Sequence, residues 1–279
     1  MDQLLLTPIN HVAGEISLPG SKSLSNRALL LSALATGQTR LHNLLHSDDT
    51  ERMLDALRQM QVSVNVSKDG TDCTVTGLGK LFTPPNGSKF LLGNAGTAIR
   101  PLTSMLSLCE GTFIVDGDDY MRERPIDHLV DALRQLGAEV QYLGKPGCPP
   151  IQLTGGRIRG GRVSIRGDIS SQYLTALLMS LPLADQDSII EVIGEQVSKP
   201  YLDITLGIMA QYGVTASHEN YQVFHIKGQQ QYVSPDNYLI EGDASSASYF
   251  FAAAAIKGGT VRVNGLGRDS VQGDIAFLD

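Results

Sequence analysis

The chain has 279 residues, 42% of them hydrophobic and 18% charged, with a formal net charge of −7 and a mean hydropathy of −0.03. That balance fits an ordinary globular chain, long enough for one large or two medium domains with an ample core. It disfavours a broad nucleic-acid or anionic-membrane face, because both need an excess of positive charge. The opening MDQLLLTPIN lacks a basic segment and does not read as a signal peptide. No apolar run approaches the ~20 residues of a membrane span. Cys73, Cys109 and Cys148 are far apart with no CxxC, which reads as reduced, unpaired thiols in a reducing compartment. A cytoplasmic location is expected.

In chain order, residues 11–18 alternate loosely and predict a strand. Pro19-Gly20 turns the chain, and residues 21–35 predict a helix ending at Gly37. Residues 39–45 form a β-type run. Ser47-Asp48-Asp49 then suits an N-cap with an acidic first turn. The helix it opens carries Met53, Leu54, Leu57 and Met60 at helical spacing. Residues 62–66 and 74–76 predict two closing strands, so the unit is βαβαββ.

The unit recurs. Gly20, Gly93, Gly167 and Gly242 are spaced by 73, 74 and 75 residues, and each precedes a small, hydroxyl-rich helix opening. A second marker, at Leu54, Val130 and Leu206, recurs every 76 residues. Leu129, Val130, Leu133 and Leu136 repeat the stripe of the second helix. Residues 139–143 with 151–153, and 214–217 with 224–226, repeat the closing strands. The Gly- and Pro-rich stretch 144–161 is loop-forming, and Ser234-Pro235-Asp236 is turn chemistry ahead of copy four. Three complete units are expected over residues 11–235. The fourth stops at Asp279, just inside its second helix, so the chain is expected to be part of a longer one.

The helix openings carry the chemistry. A helix start offers free N–H groups and a partial positive charge, and small residues let an anion approach the backbone. For any one repeat, plain capping is the simpler reading. Three copies converging about a pseudo-threefold axis, with Lys22 and Arg27 in the first and Arg100 in the second, point to a binding site. Arg122 and Arg124 follow in DGDDYMRERPI, and Pro125 stiffens the backbone after Arg124. An Arg so placed suits a carboxylate or phosphate. This basic cluster in an acidic chain suggests an acidic small molecule. There is no GxxxxGK[ST], GxGxxG or GxSxG motif. The pair His42 and His46 lacks a third metal ligand, and no metal or cofactor is expected.

The strings LPGSKSLSNRALLLSALATG, LGNAGTAIRPL, DGDDYMRERPI, GDISSQY and EGDASSASYFFAAAAIKGG resemble, in this order and across essentially the whole chain, the bacterial 5-enolpyruvylshikimate-3-phosphate synthase family. The resemblance implies an α/β fold of six βαβαββ units, three in each of two domains that close over the substrates. Residues 21–240 would form one complete domain, on the shikimate-3-phosphate side. Residues 1–20 and 241–279 would be pieces of the second. It also implies transfer of the enolpyruvyl group of phosphoenolpyruvate to the 5-hydroxyl of shikimate 3-phosphate by addition and elimination, releasing phosphate, in a monomeric enzyme.

By motif, the resemblance implies that Lys22 contacts both substrates and that Ser23 and Arg27 hold the shikimate carboxylate. Asn94, Gly96 and Thr97 would line the phosphoenolpyruvate side, with Arg124 clamping that substrate. Ser170 and Ser171 would take the 3-phosphate, Gln172 would reach between the substrates, and Ser198 and Tyr201 would complete the phosphate pocket. Ile99 stands where the family more often has Met, which is expected to alter inhibitor fit more than chemistry. The family's proton-handling Asp and Glu–Lys pair belong to a second half outside this sequence. The chain alone is therefore expected to be inactive, to bind shikimate 3-phosphate weakly, and to leave residues 258–279 poorly packed. Two alternatives remain: a non-catalytic binding fragment, and the sibling transferase acting on UDP-N-acetylglucosamine. The sibling carries a reactive Cys in a second-repeat loop, where this chain has none; Cys148, in KPGCPP, reads as incidental. The RNA-phosphate cyclase group is disfavoured by the charge of −7 and the missing catalytic His motif.

Overall fold

The computed structural model describes Leu5 and residues 7–279. The rest of the MDQLLL opening, read above as free of a leader, lies outside the described residues. After an opening strand, β1 (Val12–Ser17), the first unit runs α1 (Lys22–Leu34), β2 (Gln38–His42), α2 (Asp48–Gln59), β3 (Ser63–Val66) and β4 (Cys73–Thr76). The second runs β5 (Lys89–Leu91), α3 (Gly96–Leu108), β6 (Gly111–Asp116), α4 (Asp127–Gln135), β7 (Glu139–Tyr142) and β8 (Ile151–Gly155). The third runs β9 (Gly161–Arg166), α5 (Ser171–Ser180), β10 (Ser188–Ile193), α6 (Lys199–Gln211), β11 (Ala216–Glu219) and β12 (Val223–Ile226). Then come β13 (Asn237–Leu239), α7 (Ala244–Lys257), β14 (Gly259–Asn264) and a closing 3-10 helix, Gly273–Leu278. Most boundaries fall within a residue of expectation; β8 runs two residues further, to Gly155, and two other differences stand out. β2 stops at His42 because Asn43 takes a left-handed φ of 57°, and β11 begins two residues late, at Ala216.

Three four-stranded sheets follow one plan: β13-β2-β4-β3, β5-β6-β8-β7 and β9-β10-β12-β11. In each, the first two strands are parallel and the last two join antiparallel. This corrects the expectation that residues 11–235 hold three complete units. The outer strand of the first sheet is β13, in register Asn237 to Arg40 and Leu239 to His42, and not residues 11–18. β1 instead pairs with β14 over all six of its residues. The reason is that a parallel partner leaves no local mark in a strand's sequence. Burial separates the two candidates: β13 buries Tyr238 in the core, whereas β1 is largely exposed.

The segments 18–21 and 240–243 run side by side. Ser21 N–H donates to Glu241 O at 2.8 Å, and Asp243 N–H to Pro19 O at 3.1 Å. A Cβ on Gly20 would lie 1.9 Å from Asn43 O, so this crossing admits no side chain there.

Two kinds of helix fill the space between the sheets. α1 buries 11 of 13 residues, α3 12 of 13 and α5 9 of 10, so these are covered on every side and form the centre. α2, α4 and α6 bury 5 of 12, 4 of 9 and 5 of 13, and each wedges between two central helices. Several polar groups at the centre pair with one another, as in Ser104 with Ser180 at 2.6 Å and Ser32 with Tyr212 at 2.7 Å. Outside this ring packing thins. α7 buries only Ala244 and Ala247, and of residues 258–279 only Gln272 is buried. No helix among the described residues is long and apolar enough to cross a membrane.

Candidate functional site

The central helices begin at the same end of the ring. At the start of α1, Lys22 is exposed and lies 3.5 Å from Asp49 Oδ2. One turn in, Arg27 is 5% exposed. Its Nε donates to Thr205 Oγ1 at 3.0 Å, one Nη to Ser23 O at 2.9 Å and the other to Thr175 Oγ1 at 3.4 Å. All three acceptors are neutral. Burial pulls the guanidinium pKa down to about 10, against the pull of Tyr201 and Tyr238. A buried cation without a counter-charge is costly, and a bound anion would relieve that cost.

α3 begins at Gly96 without a capping side chain. A Cβ there would lie 2.5 Å from Arg100 Nη1 and 2.8 Å from Arg124 Nη2, so two guanidinia cross the helix start close against the glycine backbone. Arg124 donates to Asn94 O at 3.0 Å and Asn94 Oδ1 at 2.8 Å. Arg100 donates to Gly96 O, to Pro125 O and to Gln172 Oε1, which ties the start of α3 to that of α5. Its buried Nε has no partner. Burial lowers its pKa, and the neighbouring charge of Arg124 lowers it further. Among the described residues, neither Arg27, Arg100 nor Arg124 forms an ion pair. Asn26 joins α1 to α3 by donating to Thr97 Oγ1 at 2.6 Å, and its own Oδ1 is buried without a partner.

α5 brings no cation. Ser170 caps it by accepting from Gln172 N–H at 3.2 Å, and Ser171 is buried. Ser198, at φ 54°, opens α6 and is exposed, as is Tyr201. Burial together with Asp274 and Asp243 raises the Tyr201 pKa.

Two spaces gather these side chains. A cavity of about 370 Å³ is lined by Lys22, Ser23, Ser198 and Tyr201 on one side and by Asp243, Ser245 and Asp274 on the other. A crevice of about 10 Å³, the size of a water, lies between Arg27, Gly96, Thr97, Gln172 and Thr175. Asn94, Arg124, Ser170 and Ser171 line neither space, standing at the helix starts instead. Ile99 is buried and lines neither, so it can influence a ligand only through packing. The motif reading did not include Asn26, Asp243, Ser245 or Asp274. The repeated opening EGDASSAS was the signal for Asp243 and Ser245, while Asn26 left none. All three Cys are buried and unpaired, and burial pushes the thiols of Cys73 and Cys109 up to about 12.

Three equivalent helix starts in three like-built sheets, with guanidinia that lack an acidic partner at two of them, define a repeat-built α/β protein. The sequence matches the family described as EPSP synthase (3-phosphoshikimate 1-carboxyvinyltransferase) over residues 6–279, and the chain belongs to that family. It is 57% identical over its full length to a 3-phosphoshikimate 1-carboxyvinyltransferase of Photorhabdus laumondii, covering 65% of that relative. It is 58% identical over its full length to one of Tolumonas auensis, again covering 65%. The solved EPSP synthase from Acinetobacter baumannii superposes with a TM-score of 0.81 at 28% identity, over 92% of this chain and 57% of that one. The chain thus spans about 65% of the length of the curated relatives it matches.

Proposed function

We propose that this chain carries the shikimate-3-phosphate half-site of a 3-phosphoshikimate 1-carboxyvinyltransferase. Residues 21–240 would be one three-unit domain, and residues 1–20 with 241–279 part of a second. The carrying observation is the set of three guanidinia, Arg27, Arg100 and Arg124, placed at the helix starts without a carboxylate between them.

In this reading Ser23 and Arg27 take the shikimate carboxylate. Ser170, Ser171, Ser198 and Tyr201 take the 3-phosphate, while Asn94, Gly96, Thr97 and Arg124 take phosphoenolpyruvate. Lys22 and Gln172 stand between the two ligands. The 5-hydroxyl oxygen adds to C2 of phosphoenolpyruvate as a proton reaches C3. Loss of phosphate from C2 and of a proton from C3 then restores the double bond. The half-site supplies charge and orientation for two anions that repel each other. The proton donors and acceptors belong to residues outside this chain, so the chain alone binds without turning over. The enzyme would be a cytoplasmic monomer.

Calorimetric titration of shikimate 3-phosphate into the chain tests this. Saturable, weak binding is expected, with none for UDP-N-acetylglucosamine and loss on Arg27→Met. A cooperatively unfolding chain that ignores shikimate 3-phosphate would overturn the reading, and phosphate release by the pure chain would overturn its inactivity.

A further inference from the structure

Arg124 reaches the start of α3 from the segment 117–124, which includes a 3-10 turn at Met121–Glu123 and must be held in place for the guanidinium to stay there. The hold lies on its far side. Asp116, the last residue of β6, is 1% exposed. Its Oδ1 accepts from Gly117 N–H at 2.8 Å and from Arg122 Nε at 3.0 Å, and its Oδ2 accepts from Arg122 Nη2 at 2.9 Å. Arg122 therefore grips a buried carboxylate with both arms of its fork, the geometry of a strong charge-assisted pair. Burial opposes ionisation of Asp116, but the Arg122 and Gly117 hydrogen bonds prevail and its pKa is lowered.

The grip sets the loop's course. Asp118 N–H donates to Gly93 O at 3.1 Å, Met121 N–H to Asp118 Oδ1 at 2.9 Å, and Arg124 N–H to Met121 O at 3.0 Å. A Cβ on Gly117 would lie 2.4 Å from both Gly93 O and Met121 Cβ, so the loop lies flush against the turn that opens α3. The geometry points to Asp116 and Arg122 as positioning residues that fix the Arg124 guanidinium over the α3 start, and thereby set the affinity of the anion subsite. Neither side chain hydrogen-bonds to Asn94, Gly96 or Arg124. The inference rests on the reading of Arg124 as a phosphoenolpyruvate clamp.

Lys89 makes the test practicable. Its Nζ lies 3.7 Å from Asp116 Oδ2, close enough to partner the carboxylate when Arg122 is removed. It stands on β5, outside the loop, so it cannot hold residues 117–124 in place. Arg122→Ala should therefore fold and yet free Arg124. Arg122→Lys, which keeps the charge but loses the fork, should recover part of the effect.

The experiment pairs two readouts on the chain saturated with shikimate 3-phosphate. Arginine side-chain NMR reports whether Arg124 keeps one environment, with Arg27 as an internal control. Titration with phosphoenolpyruvate reports the subsite. In Arg122→Ala the Arg124 signal should broaden while that of Arg27 stays. Phosphoenolpyruvate affinity should fall about tenfold, in line with the cost of misplacing a contact, and shikimate-3-phosphate affinity should stay within about twofold. Arg122→Lys should fall between. An unchanged Arg124 signal overturns the inference, as does an equal loss of both ligands. A displaced Arg124 in a chain whose parent never binds phosphoenolpyruvate upholds the positioning role and defeats the functional reading instead.

Discussion

The first helix of each repeat begins in the same way, yet three of them and the fourth meet different fates. α1, α3 and α5 are buried on nearly every side, whereas α7, whose sequence ASSASYFFAAAAIK is the most apolar of the four, buries two of its 14 residues. Tyr249 and Ile256 on α7 are 78% and 76% exposed. A helix that is apolar all round is stable only inside a ring, because one repeat covers one side of it and its neighbours must cover the rest. The comparison also separates two sources of order. β14 is paired along its length with β1 on one edge, so strand pairing persists where packing is thin. Pairing gives this region its shape, and burial gives the ring its stability.

The largest difference should appear in the core. Leu30→Ala, at a position 0% exposed on α1, should lower the unfolding free energy by about 2–5 kcal/mol. Ile256→Ala on α7 should change it by less than about 0.5 kcal/mol. Urea unfolding of both variants checks this, and equal losses would erase the distinction between the regions. The two crossing glycines come next. A Cβ on Gly20 would sit 1.9 Å from Asn43 O, but on Gly242 its nearest neighbour would be 3.3 Å away. Gly20→Ala should cost about 1–3 kcal/mol and Gly242→Ala less than about 1 kcal/mol. A reversed order in thermal melts would show that the crossing leans on copy four.

Capping sharpens the comparison by removing burial from it. Ser47 caps α2 by accepting from Thr50 N–H, and Asp243 caps α7 by accepting from Ser246 N–H. Replacing either with Ala should cost about 1 kcal/mol. Circular dichroism under urea reads both, and a much smaller loss at Asp243 would mean that α7 frays before the ring melts. The smallest effect belongs to His42, which reaches Asp72 at 2.8 Å and Asn237 of β13 at 3.3 Å. The Asp72 hydrogen bond raises its pKa, and so does that with Asn237. The sign follows: its stabilisation is full below the unfolded His pKa of about 6.5 and fades as pH rises through the higher folded value. Because the pair is exposed, the gain on moving from pH 8 to pH 6, relative to His42→Gln, should stay below about 0.5 kcal/mol. A gain on moving toward alkaline pH would contradict the assignment.

Much of the ring was legible in the sequence. The recurrence of Gly20, Gly93, Gly167 and Gly242, the stripe Met53, Leu54, Leu57 and Met60, and the cap at Ser47 are local signals, and each landed on the element it predicted. Residues 11–18 read as a strand, and the repeat by itself puts that strand in the first unit; only the family resemblance sets residues 1–20 beside 241–279, since nothing within six residues records a partner more than 200 positions away. The candidate site divides in the same way. Its small residues and cations stand in motifs at helix starts, so the placement of Lys22, Arg27, Gly96 and Arg124 at those starts is legible in the sequence. The buried Asn26 is not, nor the grip of Arg122 on Asp116, because burial and hydrogen-bond partners are set between elements.

Chain chemistry alone therefore settles the repeat, the type of most elements of the ring and the positive helix starts, all of which depend on residues within a turn or two of one another. Folding in three dimensions settles which strand closes the first sheet and which apolar helices find cover. It also leaves three guanidinia without a counter-charge. Each of these depends on what distant segments bring to the same place, and the free energy of a buried group is set by those neighbours.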